Sequence, residues 1–339
     1  MVHLRIVVPS YQSEHALDLL NAMPSVCNVV YLERVARRPE GDVILCDVAR
    51  EDASVVISDL RELNIEEEGS IAVETIESQL STAAAAAEKA AAGLPSDAVV
   101  WEEVESRTSE NVELSGSFLA FMVLAMLIAM VGILTDQILL IIGAMIVGPE
   151  FGPIAGICVA AVEKRRDLFR RSLAALVVGF PLGMTVTFAV VLALDALGLI
   201  PNGFSQGSNS MTNFISHPNG WTVLVASLAG TAGVLSLTAA KSGALIGVLI
   251  SVTTIPAAAN IGLTAALGDG HNWVGAMEQL SINLCLLVLA GIATLFVQRR
   301  LYLRRRVAHL HDEARAAAGL PLGHSRRAGS PSYKSPDGA

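Results

Sequence analysis

The sequence predicts an α-helical polytopic membrane protein with an N-terminal α+β ferredoxin-like (βαββαβ) cytosolic domain, and three observations predict it. The chain is 53% hydrophobic with a mean hydropathy of +0.55, more apolar than an ordinary water-soluble protein. Its apolar runs are clustered after residue 113 and reach the length of about 20 residues that a helix needs to cross a bilayer. Residues 1–113 carry a net charge of −14 and read as short strands and amphipathic helices, whereas the remainder carries +5.

Residues 1–78 form the cytosolic domain. His3 to Val8 reads as a strand, and Gln12 to Ala22 as a helix with Ala16, Leu19, Leu20 and Met23 on one face. Val26 to Val35 and Asp42 to Val48 read as two further strands, separated by the turn Arg37-Arg38-Pro39-Glu40-Gly41. A second helix, Glu51 to Leu63, buries Val55, Val56 and Leu60, and Ser70 to Ile76 supplies the last strand. That order is the split βαβ motif. Val2 to Pro9 is too short, and interrupted by Arg5, to serve as a secretory signal.

Residues 79–113 read as an acidic, alanine-rich linker. The alanines around Glu88 and Lys89 favour a helix that Gly93-Leu94-Pro95 ends, and the stretch beyond reads as a solvated connector, Trp101 included.

Residues 114–298 form the transmembrane domain, with six spans: 114–134, 137–162, 172–194, 221–240, 243–267 and 279–297. Lysine and arginine crowd the loop between the second and third spans (Lys164, Arg165, Arg166, Arg170, Arg171), lie between the fourth and fifth (Lys241), and follow the sixth. The other loops contain none, so the positive-inside rule puts both termini in the cytoplasm, provided that the kinked second span crosses completely; the membrane expected is the inner (plasma) membrane. Residues 299–318 read as a basic juxtamembrane helix that prolongs the sixth span and whose Arg299, Arg300, Arg304, Arg305 and Arg306 meet anionic lipid headgroups, each worth about 1 kcal/mol near such a surface. Residues 319–339, rich in Gly, Pro, Ser and Arg, read as disordered.

The second span holds the sharpest signal. Gly148, Gly152 and Gly156, with Ala144 before them, recur every fourth residue and suit close helix packing, while Pro149 and Pro153 cut across the ladder and should kink or open the helix. Glu150 falls at mid-span, where a carboxylate costs roughly 2.5–3.5 kcal/mol on insertion scales and is a functional candidate by default. The fifth span repeats the pattern: Gly243, Gly247 and Ser251 form a ladder, and Pro256 interrupts the span before Asn260. Kinked helices at matching positions of a 3+3 inverted repeat are a pointer to a transporter's midplane site. The substrate- or ion-binding candidates are therefore Glu150, Pro149, Gly152 and Pro153 from one half, and Thr253, Thr254, Pro256 and Asn260 from the other. Glycine ladders also serve plain helix packing, and they suit a homo-oligomer.

The acidic N-terminal region argues against nucleic acid as a partner. Cys27, Cys46, Cys158 and Cys285 show no paired spacing, so no disulfide framework, metal site or cofactor is expected. The spans contain no HExxH, GxSxG or paired aspartates, which argues against an enzyme.

The stretch from Ile142 to Gly156, with Ser242 to Pro256 downstream, resembles the prokaryotic integral membrane family called domain-of-unknown-function family 389, or uncharacterised hydrophobic domain, over roughly residues 110–265. The resemblance implies a multi-span membrane protein, often with a cytosolic domain, and no established activity. The chain departs from that pattern at Glu150, where many relatives carry an apolar residue, and at Pro256, a single proline in place of a double one. Together these readings lead to a transporter or channel for a small solute or ion, with Glu150 as the proton or cation site and the cytosolic domain as regulator. The alternative is a membrane-anchored sensor or scaffold whose spans only anchor and oligomerise.

Overall fold

A computed structural model describes residues 1–76, 78–91, 99–110, 112–200, 215–239 and 253–325. The chain forms two compact units: a sheet unit, Met1–Val104 with Gln298–Ala339, and a helical unit, Glu105–Val297.

The sheet unit follows the order read from the sequence: β1 (Val2–Val8), α1 (Ser13–Ala22), β2 (Val26–Arg37), β3 (Glu40–Val48), α2 (Ala53–Glu62) and β4 (Ser70–Thr75), with a short extra helix α3 (Ile65–Glu68) before the last strand. The four strands make one antiparallel sheet in the order β2-β3-β1-β4. Central strand β1 alternates: Val2, Leu4, Ile6 and Val8 are fully buried against α1 and α2, as period-2 patterning requires. Edge strand β2 runs two residues beyond its expected end and breaks register twice, between Cys27 and Val30 and between Leu32 and Ala36. Asn28 and Arg34 take positive φ at those irregularities, so the alternation that marks a strand is lost there. Gly41, opening β3, passes so close to β1 that a Cβ would lie 2.2 Å from the Val8 carbonyl oxygen.

Asp42 on β3 is buried and fully hydrogen-bonded. Its Oδ2 accepts from the Ser13 hydroxyl at 2.5 Å and the Tyr31 hydroxyl at 2.8 Å. Its Oδ1 accepts from the Arg34 amide at 2.8 Å and the Ser10 hydroxyl at 3.1 Å. Burial pushes this carboxyl up, but the four donors outweigh it and hold it at about 2, below the ordinary 3.8. Because the folded value is the lower one, the stabilisation is present above pH 3.8 and is lost as pH falls through about 2. Hydrogen-exchange protection of the β2 and β3 amides should therefore collapse across that window in the natural chain. In Asp42→Asn protection should be weaker at neutral pH and nearly flat across the window; an unchanged acid profile would remove Asp42 as its cause.

Several expectations for this unit need correction. The alanine run forms α4 (Thr82–Ala90), capped by the Ser81 side chain, but Gly93-Leu94-Pro95 lies outside the described residues. The connector beyond is not solvated: α5 (Trp101–Glu110) buries Trp101 and Val104, and the Trp101 ring stands 6.2 Å from that of Tyr302. The tail is not disordered from residue 319 either. Ala314, Ala318 and Leu320 are buried in the same core as β1, α1 and α2, while residues 326–339 lie outside the described residues.

In the helical unit, α6 (Gly116–Leu134), α9 (Arg166–Ala196), α10 (Gly220–Thr238) and α12 (Gly270–His309) are each long and apolar enough to cross a membrane. The second expected span is two helices, α7 (Ile138–Val147) and α8 (Phe151–Glu163), bent by 49° at their break. The fifth is described only from α11 (Thr254–Leu267), since residues 240–252, with Gly243, Gly247 and Ser251, lie outside the described residues. The described residues thus supply four spans, or five with the bent pair, where six were expected. α12 overturns one boundary, since the expected loop at 268–278 is helical from Gly270; the basic segment prolongs the same helix, for 40 residues in all, before a separate turn of helix, α13 (Glu313–Ala317).

Candidate functional site

The site grows from the break in the second span. α7 stops at Val147 because Gly148 leaves helical geometry (φ −63°, ψ 129°) and Pro149 follows, and α8 starts afresh after Glu150 as its N-cap. Pro153 is the third residue of α8, and Pro256 the third residue of α11. In a helix's first turn the backbone N–H has no intrahelical partner, so a proline there costs no hydrogen bond. Pro153 and Pro256 therefore begin helices and do not kink them, and the expected glycine ladder is divided, with Gly148 on one side of the break and Gly152 and Gly156 on the other.

Glu150 is 4% exposed. Its Oε1 accepts a hydrogen bond of 2.8 Å from the Thr254 hydroxyl, the first residue of α11, so the carboxylate lies between the N-termini of α8 and α11, whose partial positive charge favours an anionic group. Its Oε2 has no hydrogen-bond partner among the described residues. Gly148 makes room for it: a Cβ there would stand 2.4 Å from Oε2 and 2.7 Å from the Ile255 side chain.

Beside Thr254, Thr253 stands at the N-cap position of α11, makes no side-chain capping bond, and extends the polar track. Its hydroxyl oxygen accepts from Gln279 Nε2 at 2.9 Å and from Asn283 Nδ2 at 3.0 Å. Gln279 and Asn283 stand one turn apart on α12, both buried, and the Thr222 hydroxyl on α10 donates to Gln279 Oε1 at 3.5 Å. The sequence reading missed these three residues, although two carboxamides four apart in an apolar run were a signal for them. The expected residues Glu150, Thr253 and Thr254 are brought together, with Pro149, Gly152, Pro153 and Pro256 shaping the helix ends around them. Asn260 is not part of the group: it lies about 9 Å further along α11 by helix rise, and its Nδ2 donates to Ser216 at 2.7 Å.

The packing candidates take varied places. Ala144 is buried, and Gly156 lies against Ser172 of α9 so tightly that a Cβ would stand 2.3 Å from its hydroxyl oxygen. Of the arginines expected at lipid headgroups, Arg306 pairs with Glu62 at 2.6 Å, Arg305 donates to the Glu51 carbonyl and Arg299 stands over Trp101. Arg300 and Arg304 are exposed.

A bent helix pair, a short apolar helix whose first residue bonds to the break, and a buried carboxylate at their junction define a helical membrane protein with an interior polar site. Residues 145–289, which contain Glu150, Thr253, Thr254, Gln279 and Asn283, match the model of a family described as a domain of unknown function (DUF389). The chain is 24% identical over 194 residues to an uncharacterised protein of Methanocaldococcus jannaschii, a match covering 57% of this chain and 58% of that relative. The chain thus spans less than two thirds of the relative it matches. No solved structure matches it.

Proposed function

We propose that this protein is a transporter for a small solute or ion, not an enzyme, and that Glu150 carries the coupling proton or cation. The observation that carries the reading is the junction itself: a buried carboxylate with one oxygen bound by Thr254 and the other without a described partner, set where the break between α7 and α8 meets the N-terminus of α11. Non-helical backbone and ionisable groups at membrane depth are tolerated where they line a pathway, and paired half-helices are where transporters place their sites. The polar track from Thr253 through Gln279 and Asn283 supplies neutral donors and acceptors for a solute beside the carboxylate.

The reading extends to six spans in a 3+3 inverted repeat, and the matching prolines, third in both α8 and α11, support it. Both termini then face the cytoplasm of a plasma membrane, the sheet unit is a ferredoxin-like regulator, and the lipid bilayer and a second copy of the chain are its partners. The test is reconstitution of the full chain in liposomes holding a pH-sensitive dye, screened against small solutes and ions. Solute-dependent proton movement above that of empty liposomes is expected. A panel that leaves both the dye and the thermal midpoint unmoved would count against transport, because a ligand at 100 times its Kd adds about 2.7 kcal/mol of stability and would be seen.

A further inference from the structure

At the corner between α8 and α9 the chain builds a cavity of about 770 Å3 whose rim is basic and whose wall is apolar. α8 ends on Lys164 in the left-handed conformation, and α9 begins two residues later, so Lys164, Arg165, Arg166 and Arg170 all line one mouth. Arg165 is occupied: it pairs with Glu105 and, at 3.4 Å, with Asp167, which also holds Arg171 at 3.4 Å. Lys164, Arg166 and Arg170 are exposed and enter no ion pair among the described residues. The cavity's other lining residues include Phe169 and Leu173, 40% and 42% exposed, and Val177 follows one turn further along α9 at 61%. Arg166, Arg170, Leu173 and Val177 fall at helical spacing on one face, so cations at the head of α9 give way to an apolar strip below.

We infer that this corner binds one anionic phospholipid, its phosphodiester headgroup held by Lys164, Arg166 and Arg170 and an acyl chain lying along Phe169, Leu173 and Val177. A free phosphate compound would use the cations but gain nothing from the exposed strip, whereas a lipid uses both. The N-terminus of the 31-residue helix α9 lies at the same place, but its first amides already donate to the Asp167 carboxylate, so Lys164, Arg166 and Arg170 carry the headgroup. The inference rests on the reading of the helical unit as membrane-embedded, and is independent of Glu150.

Native mass spectrometry of the full chain released from neutral detergent tests it, with phosphatidylglycerol, phosphatidylcholine and inorganic phosphate as probes. Saturable retention of phosphatidylglycerol over phosphatidylcholine is expected. Retention should weaken about a hundredfold when Lys164→Gln, Arg166→Gln and Arg170→Gln are combined, three headgroup contacts being removed. The charge-keeping pair Arg166→Lys and Arg170→Lys should retain the lipid. Equal retention of both lipids, or unchanged retention in the triple variant, would overturn the proposal, and complete displacement of the lipid by equimolar inorganic phosphate would reassign the corner to soluble anions. Carbonate washing of membranes separates the premise from the inference: release of the chain would defeat the membrane reading itself, whereas a retained chain without lipid preference defeats only the headgroup site.

Discussion

Glu150→Gln is expected to abolish solute-coupled proton flux in liposomes while leaving the helical unit folded. Glutamine keeps a carbonyl oxygen for the Thr254 hydroxyl to donate to and keeps the side-chain volume beside Gly148 and Ile255. What it removes is the only group at the α8–α11 junction, among the described residues there, that can change charge. The amide nitrogen would replace an oxygen that has no described partner, a burial cost of about 1–3 kcal/mol, visible as a lower thermal midpoint but short of unfolding. Thr254→Val separates charge from position. It removes the donor and keeps the carboxylate, so maximal flux should persist while the pH of half-maximal flux moves. Full flux in Glu150→Gln at a normal expression level would end the assignment of the coupling site to this residue, and an unmoved pH profile in Thr254→Val would end the role given to that hydrogen bond.

The second large effect is expected in the sheet unit, at Arg315. Its side chain is completely buried, pairs with Asp59, and bonds Glu62 Oε2 at 2.7 Å. Arg306 holds the other Glu62 oxygen at 2.6 Å, and His309 lies 2.7 Å from Asp59 Oδ2. Asp59 and Glu62 therefore stand on α2 as two buried carboxylates held by Arg306, His309 and Arg315, which come from the last thirty residues that the structure describes. Arg315→Met leaves Asp59 without its guanidinium in a site from which water is excluded, and removing one partner of a buried pair costs about 3–5 kcal/mol. Urea unfolding followed by limited proteolysis of the α1–α2 region should show this loss. Adding Asp59→Asn and Glu62→Gln to Arg315→Met should restore much of it, since the uncompensated charges go with their partner. Stability equal to the natural chain in Arg315→Met alone would mean that the cluster does not hold the segment in place. The same geometry has a practical consequence: residues 1–78 alone would lose α13 from its place on α1 and leave the two carboxylates without Arg306 and Arg315, so the isolated N-terminal segment is expected to be less stable than the intact sheet unit.

The sequence made some of this legible because the signals are local. Period-2 alternation over β1 is visible in Val2, Leu4, Ile6 and Val8, and Gly148 and Pro149 carry the break between α7 and α8 in their own dihedral preferences. The membrane class follows from run length and hydropathy alone, and a carboxylate inside such a run marks itself by its solvation cost. Other features were invisible for a physical reason. On α2, Asp59 and Glu62 have the spacing of an ordinary solvated face, and only the return of the chain 250 residues later converts that face into an interior one. Trp101 and the connector around it look weakly helical and polar in isolation, and become ordered because Tyr302 and α2 offer something to pack against. Gln279 and Asn283 do stand out in the sequence as two carboxamides in an apolar run, but only Thr253 beside them makes them part of the Glu150 group. Propensity, hydropathy and backbone breaks belong to neighbouring residues and are written in the sequence. Whether a charge is solvated or paired, and which polar groups share one interior, depends on residues far apart in the chain, and the tertiary structure alone decided those.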